Sequence, residues 1–226
     1  MLRKTTIQLT ALLFISFLTA CDGTSSTKAQ HELTEGLTRS VVEQPKLAEI
    51  RDTEIRSILT SANLQTKTTT SYTQKYYSIP YPMGDVPEET GACTDVVIRA
   101  YRKAGIDLQK EVHEDMRENF SRYPKIWGLK RPDTNIDHRR VPNLQVYFTR
   151  KNRSLPLSQK GSDYKPGDIV SWDLNGNGLT HIGLISNFWD TEKERYLIIH
   201  NIGSGTKLED RLFEWTITGH YRYFDQ

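Results

Sequence analysis

One stretch decides the fold: Gly91-Ala92-Cys93-Thr94-Asp95-Val96-Val97-Ile98-Arg99-Ala100-Tyr101. Small and polar residues come first, and apolar residues then recur at helical spacing, which predicts a helix over 93–103 with Cys93 at or just before its first turn. The free N–H groups and the positive end of the dipole at a helix N-terminus favour a thiolate. Cys93 therefore lies where a nucleophile is expected, and a buried inert thiol is the alternative.

Cys93 has no partner for an internal disulfide, because the second cysteine, Cys21, belongs to an export signal. The chain opens with Arg3 and Lys4 and continues with an apolar stretch over 7–20. That stretch is shorter than a membrane-spanning helix requires and ends in small residues, as secretory signals do.

The end of this stretch, Leu18-Thr19-Ala20-Cys21, resembles the bacterial lipobox. The resemblance implies cleavage before Cys21, lipid on its side chain and anchoring by acyl chains rather than by a protein span. An ordinary signal peptide with a chance cysteine is the alternative. Asp22 resembles the inner-membrane retention signal of enteric bacteria. We therefore expect a lipoprotein of the bacterial cell envelope that faces the periplasm, with the inner membrane favoured.

The chain divides into three segments: a lipoprotein signal peptide at 1–20, a lipid-anchored flexible linker at 21–45 and a single domain at 46–226. The linker prediction rests on a stretch rich in Ser, Thr, Gln and charged residues. Loss of residues 1–20 removes two of the 30 basic residues, so that they equal the 28 acidic ones. A neutral mature chain makes nucleic acid an unsuitable partner, and we expect a monomer.

The order of the elements predicts an α+β fold. Beyond the helix at 93–103, apolar spacing predicts helices over 46–62 and 112–120, and 143–149 fits either a strand or a short helix. Runs of β-branched and aromatic residues predict strands at Ile169–Trp172, His181–Ile185, Tyr196–His200 and, as an edge strand, Tyr221–Phe224. We expect the helix that bears Cys93 to pack on an antiparallel sheet that bears the histidines.

Four motifs follow one another in a fixed order: Cys93 on its helix, Pro166-Gly167-Asp168-Ile169-Val170, His181-Ile182-Gly183-Leu184-Ile185, and Ile198-Ile199-His200. This ordered set is similar to that of the NlpC-type cell-wall peptidases of the papain-like group and covers most of 77–203. The segments 85–87, 93–97 and 135–143 more closely resemble a bacterial family of domains of unknown function, DUF1287, related to those peptidases. The resemblance implies a papain-like fold and a cysteine hydrolase that needs no cofactor.

The resemblance assigns Cys93 as the nucleophile, His181 as the base and later the acid, and His200 as the residue that orients the His181 ring. A thiol is mostly protonated at neutral pH, and a neighbouring imidazole that takes its proton forms a thiolate–imidazolium pair. A third polar group then fixes the tautomer. Asn201 is the reserve orienting residue, although it points to the opposite face if the strand continues. The backbone N–H of Cys93 would serve the oxyanion hole.

Further residues are candidates for binding the substrate or the oxyanion. In the related peptidases a tyrosine upstream of the cysteine serves the site, and Tyr81 is the best match. Asp95 follows Cys93 closely within the same motif. The cluster His138-Arg139-Arg140 would line the cleft and bind an anionic group such as a carboxylate. A structural ion-pair network is the alternative for that cluster.

Two features separate this chain from the related peptidases. Those proteins usually carry Asp or Asn before the cysteine and Ser after it, whereas Ala92 and Thr94 stand here. The missing acid removes a group that would hold a free substrate amine, which argues against cleavage between γ-D-glutamate and diaminopimelate. The long insert at 107–163 is expected to reshape the cleft.

No metal site is predicted. Asp173-Leu174-Asn175-Gly176-Asn177-Gly178 imitates the start of a calcium-binding loop, but its twelfth position is Leu184 instead of Glu. A hairpin turn explains this segment better. The chain also lacks the closely spaced Cys or His pair of a structural zinc site.

The sequence therefore favours an envelope-anchored cysteine amidase or peptidase that cleaves amide bonds in peptidoglycan peptides or a related envelope substrate. Acyl transfer to another amine would use the same acyl-enzyme. The expected partners are that substrate and the membrane, through lipidated Cys21. A non-catalytic cell-wall-binding or scaffolding lipoprotein on the same fold is the alternative, and a redox role is weaker because no Cys-x-x-Cys pair exists.

Overall fold

The structure is a computed structural model that describes residues 42–43 and 47–224. The predicted signal peptide, the lipidation site at Cys21 and most of the predicted linker lie outside the described residues, so these three predictions remain untested. Within the described residues, no helix is long and apolar enough to cross a membrane.

The described residues form four α-helices and eight strands. In chain order these are β1 Val42–Glu43, α1 Thr53–Thr68, β2 Ser71–Tyr72, β3 Thr90–Gly91, α2 Cys93–Arg102, α3 Leu108–Asn119, α4 Val141–Arg150, β4 Ile169–Asp173, β5 Thr180–Asp190, β6 Arg195–Asn201, β7 Thr206–Glu209 and β8 Thr216–Tyr221. Short 3-10 turns lie at Leu47–Glu49, Phe120–Arg122, Asp137–Arg139 and Gly161–Asp163. The predicted α+β class is confirmed.

Capping residues account for most differences between the predicted and observed helices. The carboxylate of Asp52 accepts the N–H of Ile55 at 2.8 Å, so α1 begins after Asp52 and not at residue 46. Asp107 caps α3 in the same way through the N–H of Gln109. Pro142 lies in the first turn of α4, where its missing N–H costs nothing, and 143–149 is therefore helical.

The main sheet is antiparallel, with strand order β7-β6-β5-β4-β8, and β1 pairs with the far end of β5. The final strand ends at Tyr221, so the edge strand predicted over 221–224 is displaced toward the N-terminus. Strands β2 and β3 form a separate parallel pair in which Tyr72 lies opposite Gly91. This small pair brings the segment 71–72 next to the residues that precede Cys93.

Alternation along the strands divides the apolar side chains between two cores. On one face, Ile182 and Leu184 of β5 pack in the same core as Val96 and Val97 of α2. On the opposite face, the smaller core contains Val170, Trp172, Ile185 and Ile198. Full burial of such a side chain contributes about 1.5–3 kcal/mol. The helix that carries Cys93 is thus fixed against β5 by apolar packing.

The loop that leads into Cys93 is held by Arg99, which lies two turns along α2. Its guanidinium pairs with the Asp85 carboxylate and also donates to the backbone carbonyls of Val86, Pro87 and Thr90. The side chain of Arg99 is 8% exposed. The loop 85–90 and the helix therefore form one hydrogen-bonded unit that sets the position of the helix N-terminus.

Candidate active site

Cys93 is the first residue of α2 and is 7% exposed. Burial raises the pKa of its thiol to about 12, and the nearby charge of Asp95 acts in the same direction. The backbone N–H groups of Ile182, Thr94 and Cys93 itself are directed at Sγ and oppose this rise. The resting protein therefore holds a neutral thiol, because burial outweighs the effect of the helix N-terminus.

The two predicted histidines lie together at one end of the sheet. Nε2 of His181 is 2.7 Å from Nδ1 of His200, and Nε2 of His200 is 3.1 Å from Oε2 of Glu209. These contacts form a continuous hydrogen-bonded chain across β5, β6 and β7. Glu209 was not predicted from the sequence, since its place depends on the β6–β7 register, in which Glu209 pairs with Ile198.

Tryptophan rings enclose the two imidazoles. Trp172 stacks on His181 with ring centroids 5.8 Å apart, and Trp215 meets both His181 and His200 at 5.7 and 6.0 Å. Burial and the neighbouring His200 lower the pKa of His181 to about 3. Burial also lowers the pKa of His200, although the hydrogen bond to Glu209 opposes this. Both rings are therefore neutral at neutral pH.

Cys93 and the imidazoles approach the sheet from opposite faces. Trp172 and His181 lie opposite each other on β4 and β5, and Ile182 faces the core that contains Cys93. Sγ is close to the N–H of Ile182, the residue that follows His181. Among the described residues, no hydrogen bond joins Sγ to the His181 ring. The predicted thiolate–imidazolium pair is therefore not formed in this structure.

The paired register of β5 and β6 begins at Leu184 and Ile199, so the ends of these two strands nearest the cysteine are not paired with each other.

Asn201 does not serve as the orienting residue. Its amide nitrogen donates to the carbonyl oxygens of Ser71 at 3.1 Å and Gly91 at 3.0 Å. The alternation of side chains along β6 turns it away from the face that carries His200. Asn201 instead supports the β2–β3 pair directly before Cys93, while His200 makes the contact with His181.

Asp95 is committed to structure and is not available to a substrate. Its carboxylate accepts the N–H of Ala92 at 2.6 Å, and Arg139 donates to both of its oxygens at 2.8 and 2.9 Å. A carboxylate at this position stabilises the first turn of a helix. The third contact of Arg139, to the carbonyl of Lys75 at 2.9 Å, ties another segment of the cleft wall to the same unit.

Tyr72 and Tyr76 line the cleft whereas Tyr81 does not, so the assignment of Tyr81 is corrected. Tyr81 is 39% exposed and packs edge-on against His113, away from the cleft. Tyr72 lines the cleft with Cys93 because the β2–β3 pair places it opposite Gly91. Burial and the proximity of Cys93 raise the pKa of Tyr72. The parallel pairing of two-residue strands leaves no signal in the sequence that would have identified Tyr72.

The cleft over Cys93 has a volume of about 420 Å³. Its walls come from four parts of the chain: β2 and the segment after it, the start of α2, the insert and the start of β5. They consist of Tyr72, Gln74, Tyr76, Ala92, Cys93, Trp127, Ile136, Arg139, Arg140, Val141, Pro142 and Thr180. The prediction that the insert shapes the cleft thus agrees with the position of Trp127 and of the two arginines.

The cluster 138–140 divides into three different environments. His138 is 2% exposed and absent from the cleft, and burial lowers its pKa to about 3. Arg139 lines the cleft, but Asp95 occupies its guanidinium. The Arg140 guanidinium lies over the Trp127 ring at 4.1 Å. Within the described residues, this guanidinium makes a single hydrogen bond, a 3.4 Å contact with the Asp137 carboxylate. Arg140 is therefore the member of the cluster whose remaining donors are available to a ligand.

No group of three or more His, Cys, Asp or Glu side chains within the described residues is arranged to hold a metal ion. The carboxylate of Asp173 accepts the N–H groups of Asn175, Gly176 and Gly178, which accounts for this segment as a hairpin turn. Asp168 of the Pro-Gly-Asp motif is also structural, because it forms a buried ion pair with Arg222 and a 2.7 Å contact with His220.

Comparison with protein families identifies the family of the chain. Residues 59–223 match the family described as "Domain of unknown function (DUF1287)". The chain belongs to the DUF1287 family. A curated relative, the uncharacterized protein YijF of Escherichia coli strain K12, is 51% identical over 180 residues, which cover 80% of this chain and 87% of YijF. The predicted membership of the DUF1287 family is therefore confirmed.

Two solved structures are similar to this DUF1287 protein at low identity. NlpC1 from Trichomonas vaginalis is 15% identical with a TM-score of 0.42, over 78% of this chain and 47% of that one. A Staphylococcus aureus protein described as similar to a lipoprotein of the NLP/P60 family is 14% identical with a TM-score of 0.41, over 87% and 48%. This chain spans about half the length of each.

Proposed function

We propose that this protein is a cysteine amidase or peptidase that acts on amide bonds of peptidoglycan peptides or a related envelope substrate. The observation that carries the proposal is the placement of Cys93 at a helix N-terminus in the wall of a cleft, next to the residue that follows His181. His181 in turn begins the hydrogen-bonded chain to His200 and Glu209.

The neutral resting groups favour general-base activation over a standing ion pair. The mechanism requires the His181 ring to move within reach of Sγ at the end of the sheet when the substrate enters and displaces water. Nδ1 then takes the thiol proton while Sγ attacks the carbonyl carbon. The tetrahedral intermediate collapses to a thioester, and the amine leaves with the proton that His181 returns. Water, deprotonated by the same ring, then hydrolyses the thioester and regenerates the thiol.

Donors for the developing oxyanion are present on the cysteine side of the cleft. The backbone N–H of Cys93 lies at the start of α2, and the hydroxyl of Tyr72 lines the same cleft. Such donors stabilise the negative charge that appears on the carbonyl oxygen in the transition state. Tyr72 takes the part that the sequence had suggested for Tyr81.

Arg140 supports recognition of an acidic group on the substrate. Its guanidinium stacks on Trp127 in the cleft wall, and burial lowers its pKa. The neighbouring Arg139 is already paired with Asp95, whereas Arg140 has donors that fit a carboxylate. We therefore propose a peptide substrate that carries a carboxylate near the scissile amide.

The cellular setting belongs to the same proposal. Cleavage after Ala20 and lipid on Cys21 would hold the domain at the envelope membrane, facing the periplasm, where peptidoglycan peptides occur. The lipobox resemblance of Leu18-Thr19-Ala20-Cys21 supports this setting. Labelling of growing cells with a fatty-acid probe would show incorporation into the wild type and none into Cys21→Ala.

The test is digestion of isolated, enzymatically solubilised peptidoglycan by the purified protein, with products resolved by mass spectrometry. The wild type should release a new amine and a new carboxylate, and Cys93→Ala should release neither while it retains the same thermal unfolding curve. Equal product from both proteins would exclude Cys93 as the nucleophile. Retention of muropeptides by both without cleavage would favour the binding or scaffolding lipoprotein.

A further inference from the structure

We propose that Glu209 is a positioning residue that sets the tautomers of His200 and His181, so that Nδ1 of His181 keeps its lone pair. The tautomers are a property of the folded protein, while their catalytic consequence rests on the proposed function. No motif of the sequence pointed to Glu209, and its assignment comes from the two hydrogen bonds that connect three neighbouring strands.

The contact between the two histidines is ambiguous by itself. Nε2 of His181 and Nδ1 of His200 are 2.7 Å apart, and either nitrogen can carry the shared proton. If His200 donated from Nδ1, His181 would accept at Nε2 and would carry its own proton on Nδ1. A ring in that form has no lone pair on Nδ1 and cannot accept a proton there.

Glu209 removes the ambiguity because an ionised carboxylate only accepts hydrogen bonds. Nε2 of His200 lies 3.1 Å from Oε2 of Glu209 and must therefore carry a proton. A neutral His200 then has a lone pair on Nδ1, and the 2.7 Å contact requires the proton to reside on Nε2 of His181. Nδ1 of His181 is left without a proton, as a general base requires.

The surroundings of Glu209 keep its carboxylate in place. Arg211 Nε lies 3.5 Å from the same oxygen that contacts His200, and Arg211 also pairs with Glu214. The Arg211 guanidinium in turn covers the ring of Trp215, which encloses both imidazoles. The His200 side chain is 0% exposed, and a leucine at position 209 offers its Nε2 no acceptor.

The experiment is nuclear magnetic resonance of the full chain with ¹⁵N-labelled histidine, at neutral pH in detergent micelles. Long-range ¹H–¹⁵N correlations identify which ring nitrogen carries the proton. His181 and His200 should both be Nε2–H tautomers in the wild type. In Glu209→Leu a large fraction of both rings should convert to the Nδ1–H form. Glu118→Leu, which removes an exposed carboxylate on α3, should match the wild type.

Either of two results would overturn the proposal: Nδ1–H tautomers in the wild type, or unchanged Nε2–H tautomers in Glu209→Leu. The first needs no variant and remains decisive if Glu209→Leu fails to fold. Where peptidoglycan is cleaved, Glu209→Leu should lower kcat by about 10²–10⁴-fold with little change in KM. Tautomers that respond as expected in a protein without turnover would refute the proposed function and leave the role of Glu209 intact.

Discussion

The buried ion pair at the start of α2 gives the sharpest test of the physical account. The Arg139 and Asp95 side chains are 2% and 4% exposed and are joined by two contacts of 2.8 and 2.9 Å. Arg139→Met leaves Asp95 buried with only the N–H of Ala92 as a donor. Removal of one partner from a buried pair costs about 3–5 kcal/mol. Urea unfolding of the purified protein, followed by circular dichroism, measures this loss.

Two further variants distinguish the loss of the Arg139–Asp95 ion pair from general effects of substitution on stability. Arg140→Met, at the next residue, removes a 3.4 Å contact with Asp137 and the stacking on Trp127, and should cost at most about 2 kcal/mol. The double variant Asp95→Asn/Arg139→Met removes both charges, so it should be more stable than the sum of the single losses predicts, by about 2–3 kcal/mol. Additive losses of unfolding free energy in the double variant, or equal losses in Arg139→Met and Arg140→Met, would show that the Arg139–Asp95 pair does not stabilise the fold.

Three more outcomes are expected. His181 and His138 have pKa values of about 3 in the folded protein, below the ordinary 6.5. Between about pH 6.5 and pH 3 the unfolded chain therefore binds more protons than the folded protein, and the free energy of unfolding decreases as the pH falls. His138→Leu should reduce the slope of unfolding free energy against pH by about 1.4 kcal/mol per pH unit. Equal slopes for the variant and the wild type in urea unfolding would contradict this. Tyr72→Phe should lower kcat by about 10²-fold whereas Tyr81→Phe should not, and equal kinetics would remove Tyr72 from the site. Asn201→Leu removes the donor from two backbone carbonyls and should cost about 1–3 kcal/mol in thermal unfolding, and a neutral effect would show that these bonds do not hold the loop.

The sequence predicted the elements whose signals are local. Apolar spacing located the helix that begins at Cys93, and runs of β-branched residues located the strands that carry His181 and His200. These two histidines do meet, because consecutive antiparallel strands bring the start of one next to the end of the other. Local periodicity was therefore sufficient for the fold class, whereas the pairing of these two histidines was expected from the resemblance to the NlpC-type peptidases.

Contacts that depend on register or on long-range packing left no such signal. Glu209 reaches His200 only because β7 pairs with β6 in one register, and Tyr72 reaches the cleft only through a two-residue parallel pair. The polar character of 138–140 suggested one binding cluster, yet burial separates His138 from Arg140. A thiolate was expected from the helix N-terminus, but the sequence did not indicate how deeply Cys93 is buried.

The proposed mechanism requires that Cys93 forms an acyl-enzyme with help from His181. Mass spectrometry of the protein, after acid quench of its reaction with solubilised peptidoglycan peptides, would detect this intermediate. We expect a hydroxylamine-sensitive thioester on the peptide that contains Cys93 in the wild type, and none in Cys93→Ala or His181→Gln. Cleavage of the same peptides by Cys93→Ala at the wild-type rate, or no adduct and no cleavage in the wild type, would contradict it.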